Sequence, residues 1–387
     1  MLKNMNKQKI AILGSGLTAK ALALALNKLD VDIDLIQEKP GLLAKKASNA
    51  TLSISDGSLR ILEALGIKKN FSIFWPVKKI ILYDSLQHAK PDAEFYNQDL
   101  KKFLNYIVKK NFLEKEIEKK ITKIKIIRQK ISHIENKHFL QKIIFHNRTQ
   151  QEYHLIIVTE KEHLKLFSNE KKLNWSYSET AYTFLLHHQK INNSCARQFF
   201  LSDGPLAFLP LSPQSTSVVW SVKNKSKTEN IILDEKQRLE FLQKITLGIY
   251  DKMKVISQPE SFPLTFNFLS KIALFRTIFV GDITHKIHPI AGQGWNMSLR
   301  DIDDLKRILQ VKLSKGYDIG STEVLQKFEK KTKLSNLLFA VSIDLVRRAF
   351  RNQSSSIKKI RKKTFSIVSQ PALMNKIIDI ADKGLRI

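Results

Sequence analysis

The fold class of this sequence is decided by residues 10–19, which read IAILGSGLTA. The apolar residues 10–13 predict a strand, and the helix-prone residues 19–29 predict a helix directly after two closely spaced glycines. Residues 31–36 alternate between apolar and acidic side chains, which predicts a second strand. Strand, tight turn, helix and strand in this order open a doubly wound α/β domain.

The glycine spacing in this segment is typical of a turn that binds a dinucleotide. The first glycine makes the tight turn, the second lets the backbone approach a diphosphate, and the small third residue lets the helix pack on the strand. Unpaired N–H groups at the helix start would face the diphosphate. Glu38, at the end of the second strand, would hydrogen-bond a ribose hydroxyl. The candidate residues are Gly14, Gly16, Leu17, Thr18, Ala19 and Glu38. NAD(P) and FAD both fit this motif, and the alternative is a tight strand-to-helix turn without a ligand.

A second glycine-containing segment, residues 281–296, reads GDITHKIHPIAGQGWN. Residues 277–280 predict a strand that delivers Asp282 at its carboxyl end, where a carboxylate can bind sugar or ribityl hydroxyls. Pro289 fixes a turn, after which Gly292 and Gly294 let the backbone lie against a flat ring at a helix start. The candidate ligand-binding residues are Gly281, Asp282, Pro289, Gly292, Gln293, Gly294 and Asn296.

Metal chemistry has little support in the sequence. His285 and His288 are three residues apart, but no third ligand has a suitable spacing. We therefore expect them to hydrogen-bond within the turn or to line a pocket, and we predict no metal site. The single cysteine, Cys195, excludes a disulfide framework and an iron–sulfur cluster. It also favours a reducing compartment.

The remaining pattern predicts a mixed α/β chain with a second, antiparallel sheet. Helices are predicted for residues 58–65 and 113–121, strands for 79–83, 123–134, 139–145 and 153–158, and short antiparallel strands for 181–222. After residue 294 the chain reads as helical, with breaks at 316–320, 352–356 and 371. We predict three parts: a discontinuous nucleotide-binding domain (1–75, 100–165 and 270–315), a substrate-binding sheet domain (76–99 and 166–269) and a C-terminal helical segment (316–387).

The chain is strongly basic, with 65 Lys and Arg against 36 Asp and Glu and a net charge of +29. Its 52 lysines outnumber its 13 arginines, whereas base-reading sites favour arginine, and no nucleic-acid-binding motif is present. We therefore predict no nucleic-acid partner. Residues 345–363 contain eight basic residues and no acid. This stretch is either a solvated helix face or a patch that rests on an anionic membrane or an acidic partner. The sequence contains no run of 18 apolar residues, so it predicts no transmembrane helix.

The second glycine segment closely resembles that of the FAD-dependent aromatic monooxygenases, in the branch of ubiquinone-biosynthesis hydroxylases. The resemblance rests on residues 288–294 (HPIAGQG) and 299–301 (LRD). It extends to residues 55–62 (SDGSLRIL), 204–211 (GPLAFLPL) and 219–221 (VWS). The family implies an FAD domain on a mixed α/β sheet, an antiparallel substrate domain and C-terminal helices.

The resemblance also implies a reaction. A polyprenylated phenol would be hydroxylated on its ring, with NAD(P)H and O₂, through a flavin hydroperoxide. By this resemblance the first glycine segment would hold the FAD diphosphate, Glu38 the adenosine ribose, and Asp282 the diphosphate–ribityl region. Pro289, Gly292 and the residues after it would lie along the isoalloxazine ring. No catalytic residue is assigned. Such a lipid substrate implies a cytoplasmic enzyme that works peripherally on the inner membrane surface, in contact with other ubiquinone-biosynthesis proteins.

Two departures from the family pattern keep other functions open. The family's Ala-Asp-Gly-x-x-Ser element is replaced by residues 159–164, TEKEHL, and an expected arginine near Asn49 and Ala50 is absent, with Lys45 or Lys46 as substitutes in charge. Both changes concern cofactor binding or reduction by NAD(P)H. The alternatives are a catalytically weakened flavin-binding homologue that acts as a partner in a ubiquinone-biosynthesis assembly, and a flavoprotein hydroxylase of another aromatic or lipid substrate.

Overall fold

The computed structural model describes residues 7–384, except residues 39–47, 85–89, 100, 168–171, 247 and 353. The helices are α1 Leu17–Leu26, α2 Asp56–Ala64, α3 Lys110–Glu118, α4 Lys227–Leu233, α5 Glu235–Thr246, α6 Gly294–Leu313, α7 Thr322–Arg351, α8 Ser355–Val368 and α9 Pro371–Lys383. Two 3₁₀ turns cover Lys161–Leu166 and Pro289–Ala291.

The strands form one largely parallel sheet, one long antiparallel sheet and two small sheets. They are β1 Gln8–Leu13, β2 Val31–Ile36, β3 Thr51–Ser55, β4 Trp75–Val77, β5 Lys79–Tyr83, β6 Ala93–Tyr96, β7 Asn105–Lys109, β8 Lys125–Ile127, β9 Ile131–Asn136, β10 Gln141–Phe145, β11 Gln150–Tyr153, β12 Leu155–Val158, β13 Lys172–His187, β14 Cys195–Leu201, β15 Gly204–Ser212, β16 Ser215–Lys223, β17 Lys254–Val255, β18 Glu260–Leu269, β19 Ala273–Leu274, β20 Thr277–Phe279 and β21 His285–Lys286.

The parallel sheet has the strand order β19-β20-β12-β1-β2-β8, and only β19 runs antiparallel to its neighbour. β1 lies between β2 and β12, with Leu13 opposite both Ile36 and Val158. The strands β1, β2, β12 and β20 therefore end at one edge. Open α/β sheets bind ligands at this edge.

Helix α1 is buried almost completely beside this sheet, because its alternating Ala and Leu side chains leave little polar surface. Its single charged residue, Lys20, is 4% exposed. The ammonium group donates to Glu114 (2.5 Å) and Glu118 (2.6 Å) of α3, so the buried cation is paired. This ion pair ties the helix that follows the first glycine turn to the rest of the domain.

The antiparallel sheet has the order β21-β18-β13-β16-β15-β14-β5-β6, with β17 also paired to β13 and with one parallel pair, β14 and β5. Its longest strand, β13, pairs with β16 and β18 along most of its length. One face packs on α4 and α5 around Phe184, Phe208 and Trp220, each fully buried. The sequence prediction of an antiparallel sheet is confirmed, although the sheet also recruits β5, β6 and β18.

Two predicted strands were wrong in extent. Residues 123–134 form β8 and β9 in two different sheets, and the region around residue 153 divides into β11 and β12. Alternation of side chains does not reveal where a chain changes sheets, because both sheets impose the same period of two. The predicted helical breaks are confirmed, since α6 ends at Leu313, α7 at Arg351 and α8 at Val368.

None of the described helices is both long enough and apolar enough to span a bilayer. The region of Lys45 and Lys46 lies outside the described residues.

Candidate functional site

The two glycine segments predicted from the sequence meet at the carboxyl edge of the parallel sheet. Gly14 follows β1, and Gly281 comes two residues after β20, with β12 between these strands. A Cβ atom on Gly281 would lie 2.9 Å from Thr18 Cγ2, so the second segment touches the first turn of α1. The structure therefore brings Gly14–Ala19 and Gly281–Asn296 together, as a single ligand site requires.

The first turn of α1 offers free hydrogen-bond donors. Gly16 is the N-cap residue and provides no side-chain cap, so the N–H groups of Leu17 and Thr18 lack an intrahelical partner. The side chains of Leu17 and Ala19 are buried in the core and hold the turn against the sheet. A helix start with this geometry attracts an anion such as a phosphate.

Glu160 is a site residue that the sequence interpretation did not identify. Its Oε1 accepts hydrogen bonds from Ser15 N–H (2.7 Å), Ser15 Oγ–H (2.9 Å) and Gly16 N–H (3.1 Å). Glu160 follows β12 at the position where the family's Asp-Gly element has its aspartate. A carboxylate is therefore still present there, one methylene further from the backbone, and it fixes the conformation of the first glycine loop.

Two further side chains lie near this loop. Glu38 follows β2 as predicted, and its Oε1 accepts a hydrogen bond from Ile131 N–H at 3.0 Å. His163, in the 3₁₀ turn after β12, is 3% exposed, and its ring nitrogens have no hydrogen-bond partner among the described residues. Burial lowers the pKa of His163 and outweighs the nearby carboxylates of Glu38 and Glu160, which raise it. The ring is therefore neutral at pH 7.

The second glycine segment makes a tight turn beside open space. The 3₁₀ turn Pro289–Ala291 ends at Gly292, whose φ of 60° is left-handed, and a Cβ on Gly292 would lie 2.9 Å from Ser53 Cβ. By contrast, a Cβ on Gly294 would meet no other part of the described chain, beyond its own neighbours and helix backbone, within 4 Å. The buried Oε1 of Gln293 has no hydrogen-bond partner in the described structure. An open flank with an unsatisfied buried acceptor fits a ligand that lies along this turn.

Asn296 holds this turn to β3. Its Nδ2 donates to Ser53 O (2.8 Å), and its Oδ1 accepts from Ser55 N–H (3.0 Å). The side chain is fully buried. The sequence interpretation expected Asn296 along a flat ring, but its amide is used within the protein, and Asn296 therefore positions the turn.

Asp282 is exposed at the carboxyl edge of the sheet. Within the described chain its carboxylate makes no hydrogen bond or ion pair. It is therefore free to accept hydrogen bonds from ligand hydroxyls, which is the role expected from the sequence.

His285 is anchored to a buried carboxylate on α6. Its Nε2 lies 2.8 Å from Asp301 Oδ2, and Asn336 Nδ2 of α7 donates to both oxygens of Asp301 (2.9 and 3.1 Å). Because a carboxylate only accepts, His285 carries its proton on Nε2. The sequence analysis expected both histidines to hydrogen-bond within the turn or to line a pocket; the partner of His285 lies instead on the following helix.

His288 is anchored to the antiparallel sheet. Its Nε2 lies 3.0 Å from Glu179 Oε2 on β13, and both residues are buried. Burial lowers the pKa of His288 despite the carboxylate, so the ring is neutral and donates Nε2–H to Glu179. Arg347 of α7 donates to Glu179 through Nη2 (2.6 Å) and Nε (3.3 Å). A buried ionic cluster thus joins the second glycine turn, the antiparallel sheet and the C-terminal helices.

Neither histidine belongs to a metal site in the described chain, where no group of three or more metal-ligating side chains occurs. A cleft lies where this ionic cluster meets the turn between β14 and β15. Its lining includes Glu179, Phe200, Pro205, Ile290 and Phe350. The cleft therefore reaches the second glycine segment at Ile290 from the side of the antiparallel sheet.

No family model matches the chain. The chain is 27% identical over 248 residues to the zebrafish (Danio rerio) mitochondrial ubiquinone biosynthesis monooxygenase COQ6, covering 54% of this chain and 51% of the relative. It is 24% identical over 414 residues to mouse (Mus musculus) COQ6, covering 91% of this chain and 86% of the relative.

The chain is similar in sequence to ubiquinone-biosynthesis hydroxylases. The resemblance seen in the sequence is thereby confirmed. Similar proteins named ubiquinone biosynthesis monooxygenase COQ6 also occur in Dictyostelium discoideum and Xenopus tropicalis. The chain spans about half the length of these two relatives and of the zebrafish protein.

Solved structures show the same fold. The crystal structure of Klebsiella pneumoniae HpxO complexed with FAD and uric acid superposes with a TM-score of 0.75 over 97% of both chains, at 13% identity. This similarity confirms the predicted fold class, a mixed α/β sheet combined with an antiparallel sheet and C-terminal helices.

Proposed function

We propose that this chain is an FAD-dependent monooxygenase that hydroxylates the ring of a polyprenylated phenol, a ubiquinone precursor, with NAD(P)H and O₂. The observation that carries the proposal is the meeting of the two glycine segments around an open flank. Gly294 borders unfilled space, and the buried Oε1 of Gln293 beside it lacks a partner. A dinucleotide whose diphosphate lies at α1 and whose flat ring lies along residues 289–294 would fill both places.

The residues of the described chain fit FAD in a defined order. The N–H groups of Leu17 and Thr18 would hold the diphosphate, and Glu38 would hold the adenosine ribose. Asp282 would accept hydrogen bonds from the ribityl hydroxyls, and Pro289 with Gly292 would support the ring. FAD supplies the redox chemistry with NAD(P)H and O₂. The protein positions the ring and excludes water from it.

The buried histidines support the ring's position. His285 is fixed through Nε2 by a carboxylate on α6, and His288 is fixed through Nε2 by a carboxylate on β13. The 3₁₀ turn that follows His288 is therefore held by both the helix and the antiparallel sheet. Each Nδ1 is buried without a described partner. Rigid anchoring of this kind is what precise placement of a reacting ring requires.

The alternative of a catalytically weakened partner protein has less support. It rested on the missing Asp-Gly element and on the missing arginine near Asn49 and Ala50, and at the first of these points Glu160 supplies a carboxylate to the first glycine loop. A flavoprotein hydroxylase of another aromatic substrate would use the same residues. The relatives named as ubiquinone-biosynthesis monooxygenases favour the polyprenylated phenol.

A polyprenylated phenol resides in a membrane, so we propose that the enzyme works on the cytoplasmic surface of the inner membrane, near other ubiquinone-biosynthesis proteins. The net charge of +29 supports attraction to anionic lipid. The phenol ring would reach the FAD ring through the cleft at Ile290 and Phe350. We also propose the three-part domain division given by the sequence.

The test is a spectrum of the purified protein reconstituted with FAD, before and after anaerobic NADH or NADPH. We expect bound flavin that bleaches with one reductant. Air and a short-chain polyprenylphenol should then give a product heavier by one oxygen atom, identified by mass spectrometry. Bound flavin without reduction would favour the weakened homologue. Failure to bind FAD at all would contradict the proposed function.

A further inference from the structure

The outer face of α7 carries an apolar stripe that nothing in the described structure covers. The stripe consists of Leu334, Leu338, Val341 and Leu345, whose side chains are 51%, 43%, 41% and 60% exposed. Their spacing of four, three and four residues places them on one side of the helix. Exposed apolar side chains in a continuous row mark an interaction surface.

Basic residues extend this stripe at both of its ends. Lys327 lies seven residues before Leu334, on the same side of the helix, and Lys330 lies one turn before it; both are exposed. Arg348, one turn after Leu345 and two turns after Val341, is also exposed. In the sequence from Lys330 to Arg351 the one acidic residue is Asp344, which is buried and paired with Arg348. The surface is therefore apolar and positive, without an exposed negative charge between residues 330 and 351.

The next helix repeats this character. On α8, Lys359, Ile360, Lys363 and Ile367 are exposed, and Ile360 and Ile367 are 59% and 42% exposed. Their spacing again defines one side of a helix. Two C-terminal helices thus present apolar side chains interleaved with lysine and arginine.

Two arginines of the basic stretch 345–363 point inward and anchor α7 and α8 to the rest of the protein. Arg347 binds the buried Glu179. Arg361 is 4% exposed, and it donates to Asp84 Oδ2 (2.9 Å) and to the carbonyls of Ala349 (2.8 Å) and Asn352 (2.7 Å). These two residues therefore do not belong to the surface patch that the sequence interpretation placed over residues 345–363. The outward face is instead the stripe on α7 and its neighbours.

We propose that the α7 stripe, with the exposed face of α8, is the surface that docks this protein on an anionic lipid bilayer. Helices that lie on membranes combine an apolar face with Lys and Arg that reach anionic headgroups. A second copy of the chain is a poorer occupant, because a symmetric contact would place these cations against each other in a protein of net charge +29. The proposal deepens the membrane location given under the proposed function, but it depends on no step of the reaction.

The test is sedimentation of the FAD-reconstituted protein with vesicles of phosphatidylcholine alone or mixed with phosphatidylglycerol. The parent protein should bind the mixed vesicles and release from them at high salt. The double variant Leu338→Glu/Leu345→Glu should bind at least about tenfold more weakly, because the apolar row is broken and the introduced charge repels anionic lipid. Lys327→Glu/Lys330→Glu should weaken binding to the mixed vesicles only.

A matched control is Leu233→Glu on α4, because Leu233 is also 60% exposed but lies on another helix. It should bind like the parent. The proposal would be overturned if the Leu338→Glu/Leu345→Glu variant bound vesicles as strongly as the parent protein. It would also be overturned if the parent protein bound neither kind of vesicle. A parent dimer that the leucine variant converts to a monomer, with vesicle binding intact, would assign the stripe to a second copy and would also overturn it.

Turnover of a short-chain, water-soluble phenol without vesicles separates this proposal from the proposed function. Both double variants should retain the parent rate in that assay. If the parent binds anionic vesicles but does not turn over the phenol, the reaction has failed and the docking surface stands. If all proteins turn over the phenol and none binds vesicles, the docking surface has failed and the reaction stands.

Discussion

Replacing Arg347 by Met tests the buried ionic cluster that joins α7 to the antiparallel sheet. Glu179 and Arg347 are 4% and 7% exposed, and two hydrogen bonds of 2.6 and 3.3 Å connect them. Removing one partner of such a pair costs about 3–5 kcal/mol, because the remaining charge stays buried. In the variant, Glu179 would still accept the hydrogen bond from His288 Nε2–H, and Arg351 Nη1 would still lie 3.5 Å from Glu179 Oε1. We therefore expect a loss of about 3 kcal/mol in unfolding free energy, near the lower limit of that range.

The assay is urea unfolding at neutral pH, followed by tryptophan fluorescence. Arg307→Met is the matched control, because Arg307 is 69% exposed and pairs with Asp303 on the same helix. Its loss should not exceed about 0.5 kcal/mol. The double variant Glu179→Gln/Arg347→Met should be more stable than Arg347→Met, since no charge is left buried. A loss below about 1 kcal/mol in Arg347→Met would refute the reasoning.

The same cluster predicts a pH dependence. Burial alone would raise the pKa of Glu179, but hydrogen bonds from His288 and Arg347 hold it below its ordinary value of 4.5. A lowered carboxyl pKa contributes stability that is present above 4.5 and is lost as the pH falls through the folded-state value. In Arg347→Met, Glu179 can protonate more readily. The stability difference between parent and variant should therefore shrink below about pH 4.5, measured by urea unfolding at several pH values.

Three further predictions concern the candidate FAD site, and each is measured by fluorescence titration with FAD. Glu160→Ala should weaken binding about tenfold, because three hydrogen bonds that order the first glycine loop are lost; unchanged affinity would show that the loop needs no carboxylate. Asp282→Ala should weaken binding by a similar factor without lowering thermal stability, since its exposed carboxylate has no described partner; a large fall in melting temperature would contradict this. Gly294→Val should fold, because the space beside it is open, yet retain no FAD; a yellow purified variant would show that the ring lies elsewhere.

The meeting of the two glycine segments could be predicted from the sequence for a physical reason. Both follow apolar strands, and parallel strands end at one edge of a sheet, so Gly14 and Asp282 had to lie close together. The resemblance to the ubiquinone-biosynthesis hydroxylases then supplied the order of FAD contacts. The position of the FAD contacts themselves stays a prediction, as does the division into three domains.

The side chains that hold the site together could not be predicted in the same way. Glu160 is 145 residues from Ser15, and Glu179 is 109 residues from His288. Each contact depends on which strands become neighbours, and no local periodicity records that choice. For Glu160 a signal existed, because an acid directly after a buried strand lies at the ligand edge. The loss of the Asp-Gly pattern obscured it.

Arginine is over-represented among the buried cationic side chains of this lysine-rich protein. Among the described residues, four arginines and two lysines are buried, although the whole chain has 52 lysines and 13 arginines. Arg276, Arg347 and Arg361 each bridge several acceptors through a planar group whose five donors have a fixed geometry, and an ammonium group, with three donors on a single nitrogen, cannot reproduce that arrangement. In this lysine-rich protein an Arg→Lys exchange at these three positions is therefore a drastic change, whereas the same exchange on the surface is a minor one.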